Sequence, residues 1–156
     1  MKTSDDTALA LLESLLRVCE DSAAGYATAM RDVADIGLTS VFTRLRQERL
    51  KLADDLVDRI RQLRGHPTPR PTLASAAHRK WMDIRAGLSA NPQHALLTEI
   101  ERGERFAVDA YRTALATATR HLFEHQYEVV QAAHDRIRQL RDRSTSPGLS
   151  PRGAAD

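Results

Sequence analysis

LALLESLLRVCEDSAAGYATAMRDV, residues 9–33, decides the fold. Leu9, Leu12, Leu16, Cys19, Ala23, Tyr26, Met30 and Val33 follow one another in steps of three and four without a miss. At 3.6 residues per turn that spacing draws one apolar stripe along a long helix. It predicts a helix over 5–34, with Asp5 and Asp6 at its positive N-terminal end. Asp35-Ile36-Gly37 reads as a short break, with Asp35 placed to cap the next helix.

That next helix is predicted over 38–64, on the stripe Leu38, Phe42, Leu45, Leu52, Leu56, Ile60 and Leu63, with Gly65 as its stop. So brief a break makes the two helices an antiparallel hairpin. Alternate prolines in His66-Pro67-Thr68-Pro69-Arg70-Pro71 forbid helix and read as a stiff linker. Thr72 can cap a shorter helix over 73–88, whose apolar side is Leu73, Ala77, Trp81, Ile84 and Leu88. Asn91-Pro92 is a cap followed by a first-turn proline. It opens a helix over 92–116, with Leu97, Ile100, Glu104, Ala107, Tyr111 and Ala114 in line. After a Thr-rich break the last helix is predicted over 120–142, with Phe123, Gln126, Val130, Ala133, Ile137 and Leu140 inward.

The fold expected is all-α: a ferritin-like four-helix bundle of two antiparallel hairpins, with an extra helix in the long crossover. The bundle is assigned to 5–142. Residues 143–156 are rich in Ser, Pro and Gly and read as a disordered C-terminal tail.

Composition narrows the function. The 156 residues are long enough for one domain with a real core. The formal charge is only +2, and 20 arginines against three lysines are spread among acids along the helices. No basic block with interleaved aromatics appears, which argues against a dedicated nucleic-acid surface. Cys19 is the only cysteine, so no intramolecular disulfide can form. The first residues lack the layout of a signal peptide, and no apolar run approaches a membrane span. A cytoplasmic protein without a membrane span is the expectation.

Glu104 is the residue that breaks the pattern. It stands on the apolar seam, where a carboxylate is costly unless paired, hydrogen-bonded, protonated or metal-bound. If the last two helices turn near Ala118, Glu104 lies level with Ala132 and Glu101 with Asp135, so Glu101, Glu104, Gln131 and His134 converge. Glu48, between Leu45 and Leu52, stands ready on the second helix. Oxygen and nitrogen ligands of this kind suit iron, manganese or zinc. Glu48, Glu101, Glu104 and His134 are therefore the candidate metal ligands. A dinuclear bundle site, however, takes a Glu from two helices and Glu-x-x-His from the other two. This chain has no Glu-x-x-His or Asp-x-x-His; Gln131-Ala132-Ala133-His134 is the nearest approach. The competing reading is a polar core layer of Glu48, Glu104, Gln126, Gln131 and His134, an Arg–Glu–His network that fixes helix register.

Other candidates read more plainly. His121 and His125 form an i, i+4 pair turned away from the stripe, towards solvent. His78 beside Trp81 reads as a packing histidine, and Cys19 as a buried small residue. Tyr26 and Tyr111 read as core residues with satisfied hydroxyls.

Taken together, Cys19-Glu20-Asp21 with Gly25-Tyr26, His78-Arg79-Lys80-Trp81-Met82, Glu101-Arg102-Gly103-Glu104 with Tyr111, and Gln126 with Ala133-His134-Asp135 carry a resemblance. Over 6–142 the chain resembles the bacterial family of uncharacterised ferritin-like four-helix-bundle proteins, a domain of unknown function. The resemblance implies a ferritin-like bundle and no established activity. Where the family tends to carry an acidic residue, this chain has Ala23. The expectation is a non-enzymatic bundle without a cofactor, acting through its surface as a homo-oligomer or on a protein partner. The alternative is a bundle that binds iron or another divalent metal, or an oxidoreductase with a degenerate carboxylate/His site. A third class, an arginine-mediated binder of anionic surfaces, predicts steep salt dependence.

Overall fold

The computed structural model describes residues 4–63, 65–67, 90–117 and 120–145. Four α-helices account for most of them: α1 (Ser4–Asp32), α2 (Ile36–Gln62), α3 (Pro92–Leu115) and α4 (Glu124–Ser144). A single 3-10 turn (Arg120–Leu122) precedes α4, and no strand occurs among the described residues. The expected helix over 73–88, with His78 and Trp81, lies outside the described residues, as do 146–156 of the expected tail.

The predicted caps are in place. The Asp35 side chain accepts from the Leu38 N–H at 3.0 Å, and Asn91 accepts from the His94 N–H at 3.0 Å. At the other end of α2 the Gly65 N–H reaches back to the Ile60 carbonyl at 2.9 Å. A side chain at Gly65 would also crowd its neighbours. A Cβ there would sit 2.5 Å from Leu9 Cδ1 and 3.0 Å from Ile60 Cγ2.

One boundary differs from the sequence reading. The last helix does not run unbroken from 120: Phe123, 1% exposed, turns inward with φ −118, and α4 begins at Glu124. Burying that ring favours a bent entry over a continued helix. At its far end α4 extends through Ser144, two residues past the expected limit.

Contacts fix the directions of the helices. Leu9 abuts the Gly65 end of α2 while Thr43 bonds Met30, so α1 and α2 are antiparallel. Asn91 meets Ser144 and Tyr111 meets Gln126, so α3 and α4 are antiparallel. Tyr26 meets Glu104 and Cys19 meets Tyr111, so α1 also runs antiparallel to α3. It follows that α2 and α3 point the same way. Backbones approach most closely within each hairpin, then between α1 and α3, then between α2 and α4, and among the described residues neither α2 and α3 nor α1 and α4 approach closely.

The core is divided in two. One apolar cluster gathers Leu12, Leu15, Cys19, Leu56, Ile60, Tyr111 and Val130; the other gathers Tyr26, Phe42, Leu45, Leu97, Ala133 and Ile137. The Tyr26 and Phe42 rings pack at 5.9 Å between centroids. Between the clusters lies a charged layer built on Arg49 and Glu104.

Candidate functional site

Glu104 owes its burial to helical spacing, three residues before Ala107 and seven before Tyr111 on the inward stripe of α3. Its side chain is 2% exposed. One carboxylate oxygen accepts from the Tyr26 hydroxyl at 2.7 Å. The other accepts from Arg49 Nη2, whose side chain is 1% exposed. Arg49 thus reaches from α2 into the middle of the bundle and joins a helix with which α2 makes no close backbone approach. Its Nη1 has no hydrogen-bond partner among the described residues.

Charge and burial shape the layer's acid–base character. Burial pushes the Tyr26 hydroxyl well above the usual phenol value, and the Glu104 charge adds to it. Burial works most strongly against the Arg49 cation, but the Glu104 carboxylate and smaller contributions from Tyr26 and Cys19 together outweigh it, and the guanidinium is held more firmly protonated than usual. Two turns along, the Cys19 thiol lies 3.3 Å from the Tyr111 hydroxyl, which donates to Gln126 Oε1 at 2.7 Å. Burial raises both the Cys19 thiol and the Tyr111 hydroxyl, so neither is an activated nucleophile.

A second polar cluster joins α3 to α4. Glu101 accepts from Arg105 at 2.6 Å and from His134 Nε2 at 3.1 Å on one oxygen, and from Arg141 at 3.1 Å on the other. His134 Nδ1 faces Asp135 Oδ1 at 3.2 Å. Burial pushes the Glu101 carboxyl upward, yet the hydrogen bonds from Arg105 and His134 and the charges of Arg105 and Arg141 hold it below the usual carboxylate range.

The sequence candidates are therefore distributed as follows. Glu104 and Glu101 are both buried but bond to different partners. His134 meets Glu101 at the level that the hairpin register predicts. Gln126 is buried against Tyr111. Gln131 is only partly buried; it links Tyr127 to Asp135 along α4. Glu48 stays outside the layer, with its side chain 40% exposed and Arg44 at 3.8 Å. His121 and His125 are exposed. Among the described residues, no group of three or more His, Cys, Asp or Glu side chains could hold a metal ion.

Arg49 is the residue that sequence reasoning missed, and Glu48 took its place. A signal was available. Phe42, Leu45, position 49, Leu52 and Leu56 alternate steps of three and four, whereas position 48 breaks the alternation. Composition points the other way, because arginine belongs on surfaces unless a carboxylate awaits it.

No helix of the described residues is long and apolar enough to cross a membrane. The model of one protein family matches residues 7–117, from α1 to the residues just past α3, and its description is Domain of unknown function (DUF2383). The match includes Tyr26, Arg49 and Glu104 and stops before α4, where Gln126, His134 and Arg141 stand. No curated protein matches the chain.

Proposed function

The chain belongs to DUF2383, a domain of unknown function, and we propose that it is a non-enzymatic, ferritin-like bundle whose buried charges set helix register and whose outer surface carries its role in self-association or partner binding. The ferritin-like arrangement is supported by the helix directions. Two antiparallel hairpins with α2 and α3 parallel are the helix directions of a bundle with one long crossover.

The observation that carries the reading is the use made of Glu104. Both of its oxygens are taken by side chains of other helices, so the seam carboxylate ties α1, α2 and α3 together. A metal ion at Glu104 would have to displace Arg49 and leave a buried guanidinium uncompensated. The lone buried Cys19 suits a reducing, cytoplasmic setting.

On the surface, Phe106 on α3 is 67% exposed between Arg102 and Asp109 and is the natural anchor for an association face. Two measurements test the reading. Ferrous iron or zinc at a hundred times any dissociation constant would add about 2.7 kcal/mol of stability. The expected result is an unchanged melting temperature; a rise that disappears in Glu104→Gln would replace this reading with a metal centre. Sedimentation of the wild type and Phe106→Ser then addresses the surface. A concentration-dependent mass that the substitution abolishes supports self-association, and a monomer throughout moves the role to a different partner.

A further inference from the structure

A groove of about 300 Å³, lined by both α2 and α4, opens at the end of the bundle. That volume lies at the lower end of small-ligand sites. Its apolar part comes from Leu38 and Val41 on α2 and Leu140 on α4. Arg136, Leu140 and Arg143 are spaced by four and three, so all three lie on one face of α4. The groove therefore has an arginine on either side of an apolar patch.

Several arginines among the described residues are already paired. Arg105, Arg112, Arg120 and Arg141 each have a carboxylate within 3.1 Å. Arg136 and Arg143 have no ion-pair or hydrogen-bond partner among the described residues. The first turns of α2 and α3 also border the groove and carry no acidic residue; the negative C-terminal end of α4, which supplies Arg143 and Ser144, offsets their positive ends, so the positive charge of the lining rests on the two arginines. Asp35 is the single acid in the lining, and it is occupied in capping the Leu38 N–H. Two arginines against one aspartate leave the lining one positive charge in excess.

The far wall is held in place. Asn91 Nδ2 donates to the Ser144 carbonyl at 2.9 Å, His94 Nδ1 donates to Ser144 Oγ at 2.9 Å, and that hydroxyl donates to the Arg141 carbonyl at 2.6 Å. These bonds pin the last turn of α4 to the first turn of α3, so the walls need little ordering on binding.

We propose that this groove binds a small monocarboxylate carrying an apolar tail of about four to six carbons. The carboxylate takes the forked donors of Arg136 and Arg143, and the tail lies on Leu38, Val41 and Leu140. One negative charge balances the lining; a dianion would overcompensate it beside Asp35. The site is independent of the Arg49–Glu104 layer and of the Phe106 face.

The test is an amide chemical-shift titration of the full chain with hexanoate, acetate and hexan-1-ol as probes. Hexanoate is expected to move the amides of Gly37, Val41, Gln93 and Arg143 with a dissociation constant of ~1 mM or tighter. Acetate, lacking the tail, and hexan-1-ol, lacking the charge, are expected to bind at least ~10-fold more weakly. The double variant Arg136→Gln/Arg143→Gln should weaken hexanoate by ~10-fold or more while its melting temperature stays that of the wild type. Four results would overturn the proposal: hexan-1-ol or acetate equalling hexanoate, a loss in the double variant below ~3-fold, shifts that map outside the groove, or no shift at ~20 mM hexanoate.

Discussion

Replacing Glu104 by Gln keeps the shape of the side chain and removes its charge. In the wild type one oxygen receives the Tyr26 hydroxyl and the other the Arg49 guanidinium. The amide has one acceptor oxygen for these two donors, and its NH2 group would face the other. Arg49, 1% exposed, would be left as a buried cation without a counter-charge. Breaking a buried pair from one side costs about 3–5 kcal/mol. That is a large share of the ~5–15 kcal/mol by which a domain is stable. It corresponds to a fall of about two to three and a half decades in the folding equilibrium, at 1.4 kcal/mol per decade. Urea unfolding followed by helical circular dichroism gives the number by linear extrapolation. The variant Arg49→Met/Glu104→Leu/Tyr26→Phe removes every polar member of the layer together. It should recover most of the loss, because apolar replacements of a buried pair run from neutral to ~4 kcal/mol stabilising. A Glu104→Gln protein within ~1 kcal/mol of wild type would refute the reasoning, since only a wet, screened pair is so cheap to break.

Acid should find Glu101 next. Its folded-state pKa lies below the ordinary carboxylate value, so its contribution is complete above about pH 4.5 and is lost as pH falls through the depressed folded value. Urea midpoints between neutral pH and pH 3 should therefore drop less steeply in Glu101→Gln than in wild type; equal slopes would remove the assignment. Gly65→Ala forces a Cβ against Leu9 and Ile60 and should cost ~1–3 kcal/mol, with part of the loss recovered in the Gly65→Ala/Leu9→Ala double variant. Asp35→Ala deletes the α2 cap and should cost about 0.5–2 kcal/mol in the same assay. Cys19, buried and with its thiol pushed up, should resist a thiol reagent in native buffer and react on unfolding in urea; fast native labelling would contradict its burial.

What the sequence made legible was whatever depends on neighbours a turn or two away. Helix starts at Asp35 and Asn91 follow from side-chain oxygens placed to meet amides three residues on. The inward stripes of α1 and α3, including the burial of Glu104, follow from 3.6-residue spacing. Turn position alone brought Glu101 beside His134 within one hairpin. The identity of Glu104's partners was less accessible, because it depends on how one hairpin is rotated against the other. Glu48 and Arg49 are adjacent in sequence and 100° apart around the helix, and that rotation decides which enters the core. Gln131 shows the same limit at the edge of the stripe, partly buried along α4 rather than inside the layer. The bend at Phe123 escaped because a buried ring, and no turn residue, interrupts the helix there.

The common direction of α2 and α3 has a mechanical corollary. Since α1 opposes α3 and α4 opposes α3, α1 and α4 run alike, and the start of α1 and the finish of α4 emerge from opposite ends of the bundle. A helix of the length of α1, 29 residues, measures about 43 Å. Cargo attached ahead of α1 is thereby held some tens of ångströms from cargo attached behind α4. Pulling on both attachments would load all the helices in shear along their axes, the geometry of a strut, and would not unzip either hairpin from its turn.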